Sequence, residues 1–536
     1  MTSNPHEELT LTDQIQSRLA KLERLREMGR DPFTVERFDR THALQEIHDR
    51  FAEMENSDVA VAGRVLSMRD MGKAAFFHIA DQTGRLQIYA RKDDLGDQGF
   101  EAVRMLDTGD FAGVTGFVFR TRTGEISVHA RELTVLSKAI RPLPLGKEKD
   151  GHHWYDLTDV ESRYRQRYVD LVVHPEVRRV FEQRAAILAS VRRTMTALGY
   201  IEVETPILQP VYGGATARPF VSHHNALDVD LYLRIAPELY LKRLVVGGFE
   251  KVFEIGKNFR NEGIDTRHNP EFTMLEAYES YRDFPRHMEV IEQIVSEAAM
   301  AVHTKTQIEV FGQELDLTPP WPRLKLYDAI RERAGIDFAG APDEAAAREM
   351  AEKAHVDVEG ITGFGKIVDE VLKTRVIPHI TNPVFLYEYP IELSPLSKKN
   401  PVNPRMVQRF QAFAAGLELG NSFSELNDPM DQRERFQAQL DAKAAGDEEA
   451  HVMDEDFIRA LEYGMPPTVG LGLGIDRLAM LLTGQKSVRD VILFPQMRPE
   501  EPGMRPEEPG MRPEDSGMGP EDSGTRPEDP AAAPEG

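Results

Sequence analysis

A run of alternating glycines, "GLGLGIDRLAMLLTG", constrains this chain more than any other stretch. Gly470, Gly472 and Gly474 recur at every second position, so a strand carrying them has one face without side chains. Something flat has to cover such a face, either another backbone or a ligand. A helix then begins near Asp476 and puts Arg477 in its first turn, where a guanidinium can meet phosphate. No Gly-Lys-Ser/Thr follows, which rules out a P-loop. Counted from Gly472, the last position of a G-x-G-x-x-G fingerprint is Arg477, so the dinucleotide pattern is broken as well. Close packing of a helix on a strand is the less favoured reading of the glycines taken alone.

Two further stretches bear on that choice. "FRNEGIDTRHNPEFTMLE", residues 259–276, reads as a hairpin. Arg260 and Glu262 share a face of its outgoing run, and Phe272, Met274, Glu276 and Tyr278 share a face of the returning one. "FQAFAAGLELGNSFSELNDP" reads as a helix marked by Val407, Phe410, Phe413 and Leu417. Glu418, Asn421 and Glu425 follow in an extended or turning segment, and such acidic and amide groups suit Mg²⁺ or an ammonium ion.

The chain of 536 residues has room for two or three domains. Residues 1–58 form a helical extension in which Ile15, Leu19, Leu22 and Leu25 mark the apolar stripe. Arg18, Lys21, Arg24 and Arg26 read as its solvated face. Residues 59–140 give about five short strands separated by turn signals such as "RDMG" and "DQTG", the pattern of a small antiparallel barrel. Phe76, Phe77, Gln87 and Tyr89 are groups that stack on and read single-stranded bases, although half of the aromatics are expected in the core. A linker, 141–175, leads to a large domain, 176–497. That domain opens with a long helix over 176–198 and carries a mostly helical insertion at about 283–380. From Arg498 to the end a seven-residue unit, "RPEEPGM" and its variants, is repeated. Pro and Gly in each unit exclude a coiled coil, and the lack of apolar residues predicts disorder. Truncation after Met497 is expected to leave activity intact.

The formal charge of −24 excludes a general nucleic-acid coat, so a contact of that kind needs a local patch. The repeat contributes four Arg against eleven Asp and Glu, and the remainder is still acidic. With no cysteine, disulfides, thiolate zinc sites and thiol nucleophiles are all excluded, which suits the cytoplasm. Neither a membrane span nor a secretory leader is expected from the hydropathy pattern.

In this order and spacing the motifs resemble those of the class II aminoacyl-tRNA synthetases, from about residue 12 to 497. The long helix with "GYIEVETP" looks like the family's first motif, "FRNEG…RHNPEF" like its second and "GLGLGIDR" like its third. The barrel resembles the anticodon-binding OB-fold of the aspartate, asparagine and lysine subgroup. "VYGGATARPF", "RIAPELYLKRL", "TMLEAYESY" and "LGNSFSELNDP" are similar to its lysine-specific bacterial members. The implied fold is α+β: an OB-fold barrel, then an antiparallel sheet flanked by helices with a helical insertion. The implied substrates are ATP, L-lysine and tRNA(Lys), with Mg²⁺ as cofactor, in a cytoplasmic homodimer.

The resemblance also assigns roles to residues. Arg260 would bridge the lysine carboxylate and the α-phosphate, with Arg477 and His268 completing the catalytic set. Asn261, Glu262, His268, Asn269, Phe272, Gly474 and Arg477 would hold ATP, Glu262 accepting from the adenine amino group and Phe272 stacking on the ring. Gly214 and Glu238 would take the α-amino end of lysine. Glu276, Tyr278, Asn421 and Glu425 would line the rest of the pocket, with Glu425 and Tyr278 at the ε-ammonium. Glu418 would bind metal, while Gln411 stands where the family places a second metal-binding Glu, two turns earlier on the expected helix. Phe76 would stack on an anticodon base and Gln87 would read its edge. Four carboxylates against one obvious Arg favour a basic substrate over an aspartate or asparagine pocket. A ligase that attaches lysine to a protein would lack the barrel. A decayed synthetase kept as an RNA-binding protein is the remaining alternative.

Overall fold

The computed structural model describes residues 11–149, 152–444 and 452–499. The repeat expected to be disordered lies, beyond residue 499, outside the described residues. Two compact units are present, the first within residues 1–157 and the second over Thr158–Met497.

In the first unit five strands close a barrel in the order Asp58–Asp70, Ala74–Ala80, Arg85–Arg91, Ile126–Ser137 and Phe111–Arg120. Period-two alternation sorts their side chains. Phe77, Ile79, Ile88, Val114 and Val128 are fully buried inside, whereas Phe76, Gln87, Tyr89, Phe117, Phe119 and His129 are only partly covered on the outer surface. The expectation that half the aromatics named above belong to the core therefore fails, because Phe77 is the single one there. Phe76 instead stacks on Tyr89 with ring centroids 4.7 Å apart. Neighbouring positions thus predict opposite effects. Phe77→Ala should cost about 3–5 kcal/mol of barrel stability in a denaturant melt. Phe76→Ala, at a half-covered outer ring, should leave the same melt almost unchanged.

The helix Leu11–Glu27 keeps its expected solvated face at the exposed Arg24 and Arg26 and departs from it at Arg18. Arg18 is buried and donates to the carbonyls of Ala139 (2.7 Å) and Thr108 (3.0 Å). Lys21 pairs with Asp107 and Arg24 with Glu101. The basic stripe anchors the helix within its own unit.

The second unit is built on an eight-stranded sheet. From one edge to the other its strands are Arg323–Lys325, Val384–Pro390, Met406–Ala414, Leu417–Ser424, Thr468–Gly474, Glu271–Ser280, Lys251–Phe259 and Ile201–Glu202. The pairing is antiparallel except at the two edges. One face packs against the helices Pro175–Ala197, Phe284–His303 and Ile475–Thr483 in a core that includes Ile187, Val191, Ile291, Phe410, Leu473 and Leu478. A second core, around Ile330, Ile367 and Val371, belongs to the segment expected to be helical. That segment also contains a short hairpin, Gln307–Val310 with Gln313–Asp316.

The helix expected from Val407, Phe410, Phe413 and Leu417 is instead two antiparallel strands. Phe410, Ala412 and Ala414 face the main core, while Val407 and Phe413 face the second one. A strand buried on both faces loses its alternation, and its apolar spacing can then imitate a helix. Gln411 and Glu418 consequently lie on paired strands, Gln411 opposite Asn421 and Glu418 opposite Phe413, rather than along a helix.

Candidate active site

The sheet face away from the main core forms the floor of a cleft of about 520 Å³. Three strands supply it, in the order Leu417–Ser424, Thr468–Gly474 and Glu271–Ser280. The middle one carries the alternating glycines. A Cβ on Gly470 would collide with Glu425 Oε1 and lie 2.6 Å from Tyr278 Cε1. One on Gly472 would come within 3.0 Å of Met274 Cε. The bare face therefore makes room for side chains reaching across from both neighbouring strands.

On one side of the glycines, Phe272, Met274, Glu276 and Tyr278 all line the cleft from the returning strand. The outgoing strand ends at Phe259, so Arg260 and Glu262 stand in the connecting loop rather than on a strand face. Backbone bonds shape that loop: Arg260 N donates to Pro270 O (2.8 Å) and Asn261 N to Arg218 O (2.8 Å). The Arg260 guanidinium lies 5.0 Å from the Phe272 ring centroid, and its Nε is buried without a hydrogen-bond partner. Burial draws its pKa below the usual value against the pull of Glu262 and Glu276. Glu262, His268 and Asn269 line the cleft, whereas the exposed Asn261 is absent from its lining.

On the other side, Glu418, Asn421, Phe423 and Glu425 line the cleft together. A strict alternation would put Glu418 and Asn421 on opposite faces. The register slips between Phe413↔Glu418 and Ala412↔Gly420, which makes Leu419 an extra residue, and this bulge turns Glu418 onto the site face. Gln411 pairs directly with Asn421 and so points the same way, although it does not reach the cleft lining.

Cations cluster at the end beside the helix Ile475–Thr483. Arg477 reaches Glu418 Oε2 at 3.5 Å and His268 Nε2 at 3.3 Å, and the other ring nitrogen of His268 bonds Asp265 at 2.8 Å. Asp476 accepts from Thr273 N (2.8 Å) and pairs with Arg184, which ties the helix start to the hairpin. Gly474 opens the helix and also lines the cleft. Arg267 and Arg409 line it too, so the expectation of one obvious Arg was too low. Arg409 is already engaged, donating to Asn421 Oδ1 (2.7 Å), Leu393 O (2.9 Å) and Ser394 Oγ (2.8 Å).

The opposite end is acidic. Glu238 begins the helix Glu238–Val246 and sits beside Gly214, where φ is +88° and a Cβ would lie 2.8 Å from Glu238 Cβ, so only glycine leaves the Glu238 side chain its place. Glu238, Glu276 and Glu425 are all buried. Burial, together with the neighbouring Glu238, pushes the Glu276 carboxyl up to about 8. The same burial raises Glu238, and raises Glu425 well above the carboxylate range against the pull of Lys242. The Tyr278 hydroxyl donates to Glu276 Oε2 at 3.2 Å.

Lys242 is the site residue that sequence reasoning missed. Its ammonium is fully buried and pairs with Glu238 (2.6 Å) and with Glu425. The available signal, a Glu238–Lys242 spacing of four, ordinarily marks a solvent-exposed helix pair.

Two arginines and a histidine at one end of a bare-floored cleft, and an acidic pocket at the other, suit a ligand that is anionic at one end and cationic at the other. Family comparison agrees. The family described as tRNA synthetases class II (D, K and N) matches residues 159–498, and that of the OB-fold nucleic acid binding domain matches residues 59–136. This chain belongs to the class II tRNA synthetases. It is 52% identical over 493 residues to the lysine–tRNA ligase of Pelotomaculum thermopropionicum, covering 92% of this chain and 96% of that protein. The lysine–tRNA ligase of Moorella thermoacetica is 53% identical over 484 residues (90% and 97%), and that of Bacillus subtilis 49% over 505 (93% and 100%).

Proposed function

We propose that this chain is a lysine–tRNA ligase, joining L-lysine to ATP as lysyl-adenylate and then transferring lysine to the 3′ end of tRNA(Lys). The observation that carries this reading is the trio of buried carboxylates around Tyr278 at the closed end of a cleft whose other end is arginine-lined. Burying an ammonium ion without a paired carboxylate costs several kcal/mol, so such a trio selects a basic amino acid. The α-amino group is read at Gly214 and Glu238, the ε-ammonium at Glu425 and Tyr278.

Arg260 then stands between the lysine carboxylate and the α-phosphate of ATP, with Phe272 beneath the adenine and Glu262 at its amino edge. A carboxylate oxygen of lysine attacks the α-phosphorus as the bond to the β-phosphate bridging oxygen breaks, and pyrophosphate leaves with the charge. No side chain acts as nucleophile. The protein contributes positioning and fixed positive charge, from Arg260 at the α-phosphate and from Arg477 and His268 at the terminal phosphates. In the second step the terminal ribose hydroxyl of tRNA attacks the lysyl carbonyl and AMP leaves. The outer barrel surface at Phe76 and Gln87 is read as the anticodon contact.

Among the described residues no group of three or more acidic, His or Cys side chains could hold a metal. Glu418, which lines the cleft, fits a Mg²⁺ that takes most of its ligands from phosphate and water, and Gln411 stands on the same face of the paired strand, opposite Asn421. Bound there with ATP, Mg²⁺ would neutralise phosphate charge. An amide is a weaker ligand than a carboxylate, so Gln411→Glu should lower the Mg²⁺ concentration for half-maximal activation several-fold. An unchanged Mg²⁺ midpoint would remove Gln411 from the metal site. The exposed Ile201, Ile207 and Leu208, after the long helix, are read as an edge covered by a second copy, which sedimentation of the chain tests.

The deciding experiment is ATP–pyrophosphate exchange with lysine, aspartate or asparagine. Exchange with lysine alone is expected. Exchange with aspartate or asparagine would reassign the pocket, and none with any of the three would leave an RNA-binding protein on a synthetase fold.

A further inference from the structure

The acidic pocket contains a cation of its own. Lys242 Nζ lies 2.6 Å from Glu238 Oε1 and against Glu425 Oε2, over the rings of Phe423 (5.6 Å) and Phe457 (5.9 Å). Its side chain has no solvent exposure. It therefore pairs by charge with one oxygen of each carboxylate; both Glu425 oxygens are buried without a hydrogen bond, and Oε1 lies on the side where Gly470 leaves space.

Among the described residues three elements supply the acidic cluster, and Arg243, next to Lys242, is matched by Asp454 and Asp456. The helix Glu238–Val246 supplies Glu238 and Lys242, the returning strand Glu276 and Tyr278, and the residue after the strand Leu417–Ser424 supplies Glu425. Arg234 is matched by Glu254 at 2.5 Å, and Arg260, shared between Glu262 and Glu276, approaches the cluster from the other end of the cleft. With all three carboxylates ionised, as when two ammonium groups lie among them, one ammonium from Lys242 leaves two negative charges. Lysine brings two ammonium groups.

We infer that Lys242 is a specificity-determining positioning residue. It fixes Glu238 and Glu425 in the orientation that receives the substrate, and it trims the pocket charge to the value an amino acid with two ammonium groups neutralises. This rests on the lysine-ligase reading above and adds to it a role for a side chain that need not touch substrate. Desolvation supports the same bookkeeping. Glu238 and Glu425 outweigh the burial of Lys242 and keep it protonated, while Glu276, pushed up to about 8 by burial and by Glu238, holds its proton at neutral pH. The arriving ammonium groups then displace that proton, so lysine affinity rises with pH as pH approaches 8.

The test begins with lysine-dependent exchange by the unaltered chain, since failure there overturns the functional reading itself. Given that activity, Lys242→Met is expected to raise KM for lysine at least thirtyfold with KM for ATP unchanged. It should also move the acid limb of kcat/KM for lysine to higher pH by about one unit, because the remaining carboxylates lose their cation. Lys242→Arg keeps the charge and should restore the pH profile, even if KM stays raised by the bulkier head. A pH-independent loss in Lys242→Met, or wild-type KM and profile in the folded variant, would overturn the inference. Should Lys242→Met not fold, calorimetry of lysine binding to the unaltered chain, in buffers of different ionisation enthalpy, still decides. About one proton released per lysine at pH 7 supports the charge match, and none released overturns it.

Discussion

Arg260→Ala is expected to lower kcat for lysine-dependent ATP–pyrophosphate exchange by about 10²–10³-fold, the range found when one fixed transition-state donor is removed. Two features of its setting support so large an effect. Arg260 Nε is buried without a partner, so the guanidinium is held ready rather than consumed by the protein. The face of Phe272, 5.0 Å away, restricts the directions in which that charge can point. Arg260→Lys should recover little, because an ammonium cannot span a carboxylate and a phosphate as a planar fork does. A fall in lysine affinity with kcat unchanged would place Arg260 in ground-state binding only.

Glu425→Gln is expected to act on the other kinetic constant, raising KM for lysine by about two orders of magnitude. Truncating one member of a buried charged pair costs about 2–5 kcal/mol, and each factor of ten corresponds to about 1.4 kcal/mol. The amide fits the same space beside Gly470 and Lys242 keeps its pair with Glu238, so the ATP end should be unaffected, with KM for ATP as the control. A KM for lysine within threefold of wild type would remove Glu425 from the ε-ammonium site and shift attention to Glu276.

These two expectations concern residues already visible in the sequence, and the reason is physical. Strand side chains alternate, so Phe272, Met274, Glu276 and Tyr278 share a face wherever the strand lies, and three alternating glycines expose a face wherever theirs lies. The order of the three motifs was equally legible, and with it the family. Local periodicity and motif spacing are properties of the chain itself.

Other features required the folded chain. Residues 406–414 are buried on both faces of their strand, which erases the polar half of the alternation and leaves a spacing that mimics a helix. The bulge at Leu419 changes the facing of Glu418 by one residue, and no local signal announces it. Lys242 shows how far this goes. Beside Glu238 alone it would read as a surface pair, and Glu425, 183 positions later, is what turns it into a buried counter-ion. The chain by itself determined which groups share a face and which chemistry they can offer. Only tertiary structure decided which charges are buried together, because burial and its partners are set by segments that meet from far apart in the sequence.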